Sequence, residues 1–196
     1  YITMSSSWNI IGGYGGFISL GHNVFFGIGA YFSGFIFVRY GISPFITALI
    51  AGLVAALFGF VVGFITLRVK GPSYIISSIA LLMIFRILFD RWELIGGTHG
   101  MTLPHNTFPV EWSKIPHYYA LLLLMVLSIY LSWYIRHSKF GLALRSISHD
   151  EIKSEVTGIN VKIIKVTAYA LSAYFIGAAG AIWGDYLTYV LSLRHT

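Results

Sequence analysis

The uncharged apolar run over residues 44–67 sets the strongest limit on how this chain can fold. A helix needs about 20 apolar residues to cross the hydrocarbon core of a bilayer, and this run supplies them. The chain of 196 residues is 57% hydrophobic and only 10% charged, which is too little charge to cover a soluble domain. The sequence therefore predicts an all-α, polytopic transmembrane helical bundle, built as a single domain over residues 1–196.

Four further apolar runs complete the predicted set of spans. One of them ends at Trp133 and Tyr134, which are aromatic residues of the kind that anchor a helix at the membrane interface. Two runs contain a charge: Arg86 can snorkel or pair with Asp90, and Asp185 is expected near the outer interface. The predicted spans lie near residues 10–38, 44–67, 74–89, 118–135 and 166–190.

Loop charges predict how the spans are oriented. The loop at 136–165 carries six bases and three acids, and Arg68 and Lys70 follow the span at 44–67. Because Lys and Arg resist translocation, we expect both of these segments at the cytoplasmic face of the cell (inner) membrane. The slightly acidic segment 90–117, rich in Gly and Pro, is then an irregular outer loop. Topology and lipid headgroups explain the net charge of +6 better than nucleic acid does.

The basic loop also carries signals for local structure. Ser148 and Glu151 match a capping box that would begin a short helix. Gly158 is placed to end that helix, and Asn160 can cap a second helix beginning near Val161. A helix of this kind can dock on a cytoplasmic partner and pass movement to the spans. It can equally lie passively on the lipid headgroups, and the pattern does not separate these two interpretations.

The glycine-rich segment 12–31 is unusual for a membrane span, because it holds seven glycines together with His22. Unwound backbone at membrane depth is tolerated only where protein or a water-filled cavity surrounds it, and transporters use such breaks to present backbone groups. We expect a helix break at Gly21. The candidate translocation path comprises Ser19, Gly21, His22 and Asn23. For His22 itself, tight packing with a hydrogen bond to a neighbour is the favoured alternative.

Small residues recur at a spacing of four, which allows two helix backbones to approach closely in lipid. Ordinary packing inside one bundle explains this spacing better than a dedicated dimer face. The three pairs are Gly12 with Gly16, Gly59 with Gly63, and Gly180 with Gly184.

Several function classes are disfavoured by the sequence. The chain has no cysteine, and its seven histidines are scattered, so no metal site is expected. It has no phosphate-binding loop motif and no nucleophile with a nearby base. We therefore expect neither an enzyme nor a bound cofactor, and the energy for any transport would come from a partner.

Ordered segments along nearly the whole chain resemble the membrane permease of the branched-chain amino acid ABC importers. The cytoplasmic segment at 140–160 resembles the coupling loop of that family, and 96–101 resembles its outer loop. The matching segments are 15–22 (GGFISLGH), 25–31 (FFGIGAY), 71–74 (GPSY), 96–101 (GGTHGM), 140–147 (FGLALRSI), 150–151 (DE) and 158–160 (GIN).

The resemblance implies a permease subunit that moves branched-chain amino acids, or related small amino acids and amides, across the membrane. It implies cytoplasmic ATP-binding subunits, a second homologous permease subunit and an external solute-binding protein as partners. Two departures exist: Asp185 stands where the family is apolar, and the Glu-Ala-Ala motif is degenerate. The residues expected to couple to the ATPase are Arg145, Asp150, Glu151, Glu155, Gly158 and Asn160.

Two other classes of protein stay open from the residues alone. An ion-coupled secondary transporter would place ionisable residues at mid-membrane, and the spans at 44–67 and 118–135 contain none. A non-transporting membrane scaffold would have no need for the glycine-rich break. Because the chain begins at Tyr1 and stops soon after an apolar run, we also expect it to be a piece of a longer membrane protein.

Overall fold

The computed structural model of the protein describes residues 1–69, 71–91 and 114–192, which form eight α-helices and no β-strand. This confirms the all-α prediction. Most of the predicted outer loop at 90–117, including the segment 96–101, lies outside the described residues. The helices are α1 (Ile2–Asn9), α2 (Asn23–Tyr40), α3 (Pro44–Thr66), α4 (Pro72–Arg91), α5 (Lys114–His137), α6 (Lys139–His149), α7 (Glu151–Val156) and α8 (Val161–Ser192).

Three described helices are long and apolar enough to cross a membrane, and they span Phe45–Thr66, Ile115–His137 and Val161–Leu187. On α3, Leu53 and Leu57 are more than half exposed, as expected for a surface that faces lipid. A shorter apolar helix covers Ser73–Phe89. The fold is thus the predicted helical membrane bundle.

Helix α8 lies at the centre of the bundle and packs against α2 and α3 through small residues. A Cβ at Gly29 of α2 would overlap the carbonyl oxygen of Gly177 on α8. On α3, a Cβ at Gly59 would come within 2.7 Å of the Ala173 methyl group. The pairs Gly59–Gly63 and Gly180–Gly184 therefore serve packing inside the bundle, because their α-carbons contact neighbouring helices of the same chain.

The first predicted span is divided, which confirms the glycine-rich break. Helix α1 continues through one π-helical turn, Ile10–Tyr14, and α2 begins at Asn23. Between them, residues 15–22 are not helical, and we call this segment the break. Gly16 adopts φ 73°, a left-handed conformation that favours glycine, so the helix ends several residues before Gly21. Gly21 instead allows close approach of α4, because a Cβ there would lie 2.9 Å from the Ser78 carbonyl oxygen.

The basic loop contains two helices, α6 and α7, where the sequence predicted one. Helix α6 is amphipathic and buries Leu144 and Ile147 in the core, which extends the helix past Ser148. The predicted capping box is therefore wrong, because the Ser148 hydroxyl donates to the Arg145 carbonyl, 2.8 Å away, inside α6. Asp150 caps α7 instead, accepting from the Ile152 and Lys153 amides at 3.0 and 3.1 Å.

The other two end signals of this loop are confirmed. Gly158 has φ 84° directly after the last turn of α7, and its amide donates to the Glu155 carbonyl. The Asn160 side chain caps α8 by accepting from the Ile163 amide at 3.3 Å. Together these caps fix the direction in which α8 leaves the loop.

Candidate functional site

The helices of the basic loop pack directly against the break. We call α6 and α7 the loop helices. A Cβ added at Gly16 would lie 3.1 Å from the Ser148 Cβ, so the two backbones approach as closely as a glycine permits. Residues 15–17 and 147–152 together line a shallow, open cavity of about 280 Å³. A shift of either loop helix would therefore displace residues of the break.

An ion pair between a buried lysine and a partly buried glutamate joins the loop helices to the bundle. The Lys165 ammonium of α8 is 3% exposed and pairs with the Glu151 carboxylate of α7. The same ammonium lies 4.3 Å from the ring centroid of Phe17, which belongs to the break. A cation over an aromatic face is attracted by its negative potential. One side chain thus contacts α7 and the break from its place on α8.

Asp150 and Arg145 hold the loop helices in place from their outer side. The backbone amide of Lys153, followed by its side chain and the amide of Ile152, lowers the pKa of Asp150, so the carboxylate is the form that caps α7. The Arg145 guanidinium donates to the Arg136 carbonyl at 2.9 Å, which ties α6 to the end of α5.

The outward side of the loop helices exposes apolar side chains. Leu142, Ile152 and Val156 are 65%, 69% and 83% exposed, respectively. Exposed acidic and basic side chains, Glu155 and Lys153, surround the last two on α7. Apolar residues rimmed by charge are typical of a protein-binding surface.

A groove of about 780 Å³ runs between α1 and α5 and meets the break at one side. Apolar walls carry a set of polar side chains in it, and we call it the polar groove after these side chains. It is the candidate solute path. Two of the four residues predicted for this path, His22 and Asn23, line it. The other two do not: Gly21 packs against α4, and the Ser19 carbonyl accepts from the indole nitrogen of Trp8 at 2.8 Å. The groove is lined by Met4, Ser5, Ser6, Trp8, Asn9, Tyr14, His22, Asn23, Ile129, Ser132, Trp133, Arg136 and Ile176.

His22 differs from the expected core histidine that hydrogen-bonds to a neighbour. Its ring makes edge-to-face contacts with Phe25 and Tyr169, with centroid separations of 5.7 and 4.9 Å. Neither ring nitrogen has a hydrogen-bond partner among the described residues, although both are buried. Buried polar atoms are normally satisfied, so the unpartnered imidazole beside the groove makes His22 a candidate functional residue.

Sequence reasoning missed a second buried pair, at the opposite end of the bundle from the loop helices. His117, in the first turn of α5, hydrogen-bonds to the Asp185 carboxylate of α8 at 2.7 Å, and both are buried. The single acid in an apolar helix was the available signal, since such residues normally have a partner. The partner lies 68 residues away, so the sequence could not identify it. Among the described residues, no group of three potential metal ligands comes together.

The bundle of apolar helices, three of which in the described part of the chain are long enough to cross a bilayer, defines a polytopic helical membrane protein. The chain belongs to the family described as "Branched-chain amino acid transport system / permease component", whose profile matches residues 1–193. As a member of this permease family with apolar helices able to span a bilayer, it is a multi-pass protein of the inner membrane.

Two curated relatives carry the same printed name, "High-affinity branched-chain amino acid transport system permease protein LivM". One is from Escherichia coli (strain K12) and the other is from Salmonella typhimurium (strain LT2). Each is 30% identical over 210 residues, covering 93% of this chain and 49% of the relative. The chain thus spans about half the length of the curated relatives it matches. No solved structure matches the chain.

Proposed function

We propose that this chain is a permease subunit of an ATP-binding cassette importer for branched-chain amino acids or related small amino acids and amides. The observation that supports it best is the packing of the loop helices on the break, through Ser148 against Gly16 and through the Glu151–Lys165 pair. A helix that lies on lipid headgroups makes no contact of this kind with the bundle. The ion pair gives the loop helices a direct link to α8 and the break, through which movement at the surface can reach the solute path.

In this proposal, cytoplasmic ATP-binding subunits dock on the exposed apolar side of the loop helices. Leu142, Ile152 and Val156 supply the contact, and the charged residues around them set its register. When the ATP-binding subunits close, α6 and α7 move together, since caps at both ends make them stiff. The proposed coupling residues are those predicted from the sequence: Arg145, Asp150, Glu151, Glu155, Gly158 and Asn160.

The polar groove is the proposed solute path, with His22 and Asn23 at its inner wall. A second homologous permease subunit covers its open side, because Ser5 and Asn9 are costly to leave against lipid. An external solute-binding protein delivers the solute at the end where α5 begins. Movement of the break, passed on from Lys165 through Phe17, opens and closes the groove.

The test is to reverse one charge of the Glu151–Lys165 pair in the complete transporter reconstituted in proteoliposomes. Glu151→Lys sets two cations against each other, and unpairing a buried charge costs about 3–5 kcal/mol. We expect membrane insertion and ATP hydrolysis to persist while uptake falls at least tenfold. The exchanged pair, Glu151→Lys with Lys165→Glu, is expected to recover part of the uptake, which a misfolded loop would not.

Gly158→Pro is a second, independent variant. Proline fixes φ near −65°, far from the observed 84°, so the end of α7 cannot form. We expect the same loss of coupling with normal insertion. Normal uptake in both Glu151→Lys and Gly158→Pro would contradict the proposed coupling role.

A further inference from the structure

The described side chains that line the polar groove carry positive charge and no negative charge. Among the described residues that line it, Arg136 is the one with a permanent charge, and no carboxylate is present. The rest of the lining combines uncharged polar groups with apolar walls from Met4, Ile129 and Ile176. Such a groove favours a solute with an anionic group and an apolar body, and it disfavours a free cation.

Local backbone features hold the polar side chains of α1 at the groove wall. The π-helical turn begins directly after Asn9, and π-helical turns are frequent at functional sites. A Cβ at Gly13 would overlap the Asn9 side-chain oxygen, so glycine is required for Asn9 to lie flat along the helix. A Cβ at Gly12 would come within 2.6 Å of the Trp8 indole in the same way. These glycines therefore shape the groove.

The unpartnered imidazole of His22 is the second observation that points to a ligand. It is 4% exposed, lines the groove, and has two ring nitrogens without a partner among the described residues. Asn9 and Asn23 add carboxamide donors and acceptors on the same lining. Along α5, Ile129 and Arg136 are about 10 Å apart, which suits the length of a medium-sized amino acid.

We propose that the polar groove is a solute-binding site within the permease itself, where Arg136 binds the carboxylate of a zwitterionic amino acid. His22, Asn9 and Asn23 bind its head group through uncharged hydrogen bonds, and Met4, Ile129 and Ile176 contact its apolar side chain. Because no acid holds the ammonium group, binding stays weak enough for release. This inference rests on the proposed function and adds recognition by the permease to it.

The experiment measures equilibrium binding to the complete transporter in nanodiscs, without ATP and without the external binding protein. The probes are radiolabelled leucine and leucinamide, which lacks the carboxylate. Arg136→Gln is expected to weaken leucine binding about tenfold or more, whereas leucinamide, a cation that Arg136 repels, should bind no more weakly than before. Asn9→Leu is expected to weaken both probes, because it removes a ligand to the head group that they share.

Lys139→Gln is the matched control, since it removes the same charge three residues further on, at an exposed position outside the groove. It is expected to leave both probes unaffected. The proposal is overturned if Arg136→Gln weakens leucine and leucinamide equally, or if Lys139→Gln has the same effect. It is also overturned if Arg136→Gln leaves leucine binding intact but lowers retention of phosphatidylglycerol, because Arg136 then serves a lipid phosphate.

The two proposals fail separately. The binding measurement needs no ATP, so absent binding in a transporter that still loses coupling with Glu151→Lys would reject the groove site alone. If Arg136→Gln weakens leucine but not leucinamide binding as expected, while Glu151→Lys shows normal uptake, the coupling role alone would be rejected.

Discussion

At the scale of single residues, glycine determines how closely the helices of this bundle pack. Gly29 and Gly177 bring the backbones of α2 and α8 together, and a methyl group at Gly29 has no room. Gly27, two residues earlier on α2, meets nothing closer than a Phe89 ring carbon at 3.6 Å. Substitution of different glycines on one helix should therefore affect stability differently, depending on which atoms lie next to each α-carbon.

Gly29→Ala should destabilise the protein, whereas Gly27→Ala should not. The added methyl group at position 29 forces α2 away from α8, and overpacking of this kind costs roughly 1–3 kcal/mol. At position 27 the methyl group makes an ordinary contact and adds helix propensity. The measurement is the thermal unfolding midpoint of each variant in detergent. Its readout is the fraction of protein that stays monodisperse as the temperature rises. Equal midpoints would show that the α2–α8 contact is loose.

At the scale of elements, the loop helices show what the sequence could and could not predict. Helices α3, α5 and α8 coincide with long apolar runs, which are the features that a sequence displays most directly. The end of α7 at Gly158 and the cap of α8 at Asn160 were also predicted correctly, because helix caps depend on the conformation of a few neighbouring residues. Helix α6 was missed because Lys139–His149 has a mixed composition, and its helicity depends on burying Leu144 and Ile147 against other elements.

The same limit applies to the candidate site. His22 and Asn23 were recognised from the glycine-rich context, and both line the polar groove. Asn9 and Arg136 were not recognised as groove residues, because they reach it from helices far apart in sequence. Contacts of this kind depend on tertiary packing, so residue type and spacing along the chain do not reveal them.

The identity of the α7 cap gives a prediction at this scale. Asp150→Ala should lower the thermal stability of the loop helices, whereas Ser148→Ala should change it little, because the Ser148 hydroxyl bonds only within α6. The pKa of Asp150 is lowered in the folded protein, so its carboxylate adds stability above the ordinary pKa of aspartate. That contribution is lost as the pH falls through the lowered pKa.

The stability difference between wild type and Asp150→Ala should therefore be full at neutral pH and shrink in acid. Thermal unfolding of the two proteins across this pH range measures it, and Ser148→Ala serves as the control. A larger loss of thermal stability in Ser148→Ala than in Asp150→Ala would indicate that Ser148, and not Asp150, caps α7.

At the scale of the whole molecule, the two ends of the bundle differ in chemistry. The loop helices bring several basic side chains to one end, whereas the end of α2 at the other has the single base Arg39 beside Tyr40. Between them, α3 presents leucine and phenylalanine side chains outward. This asymmetry extends the orientation predicted from the charges, with the loop helices in the cytoplasm and the start of α5 outside.

Because these 196 residues contain no cysteine, single cysteines introduced into them can test this orientation, with the protein before introduction as the labelling control. Val156→Cys is on the exposed side of α7, Tyr40→Cys ends α2, and Leu53→Cys faces outward in the middle of α3. A membrane-impermeant maleimide should label Tyr40→Cys in intact cells and Val156→Cys only in inverted vesicles. Leu53→Cys should stay unlabelled in both, because a thiol surrounded by lipid does not ionise to the reactive thiolate. Labelling of Val156→Cys from outside would reverse the orientation and contradict the proposed docking of ATP-binding subunits on the loop helices.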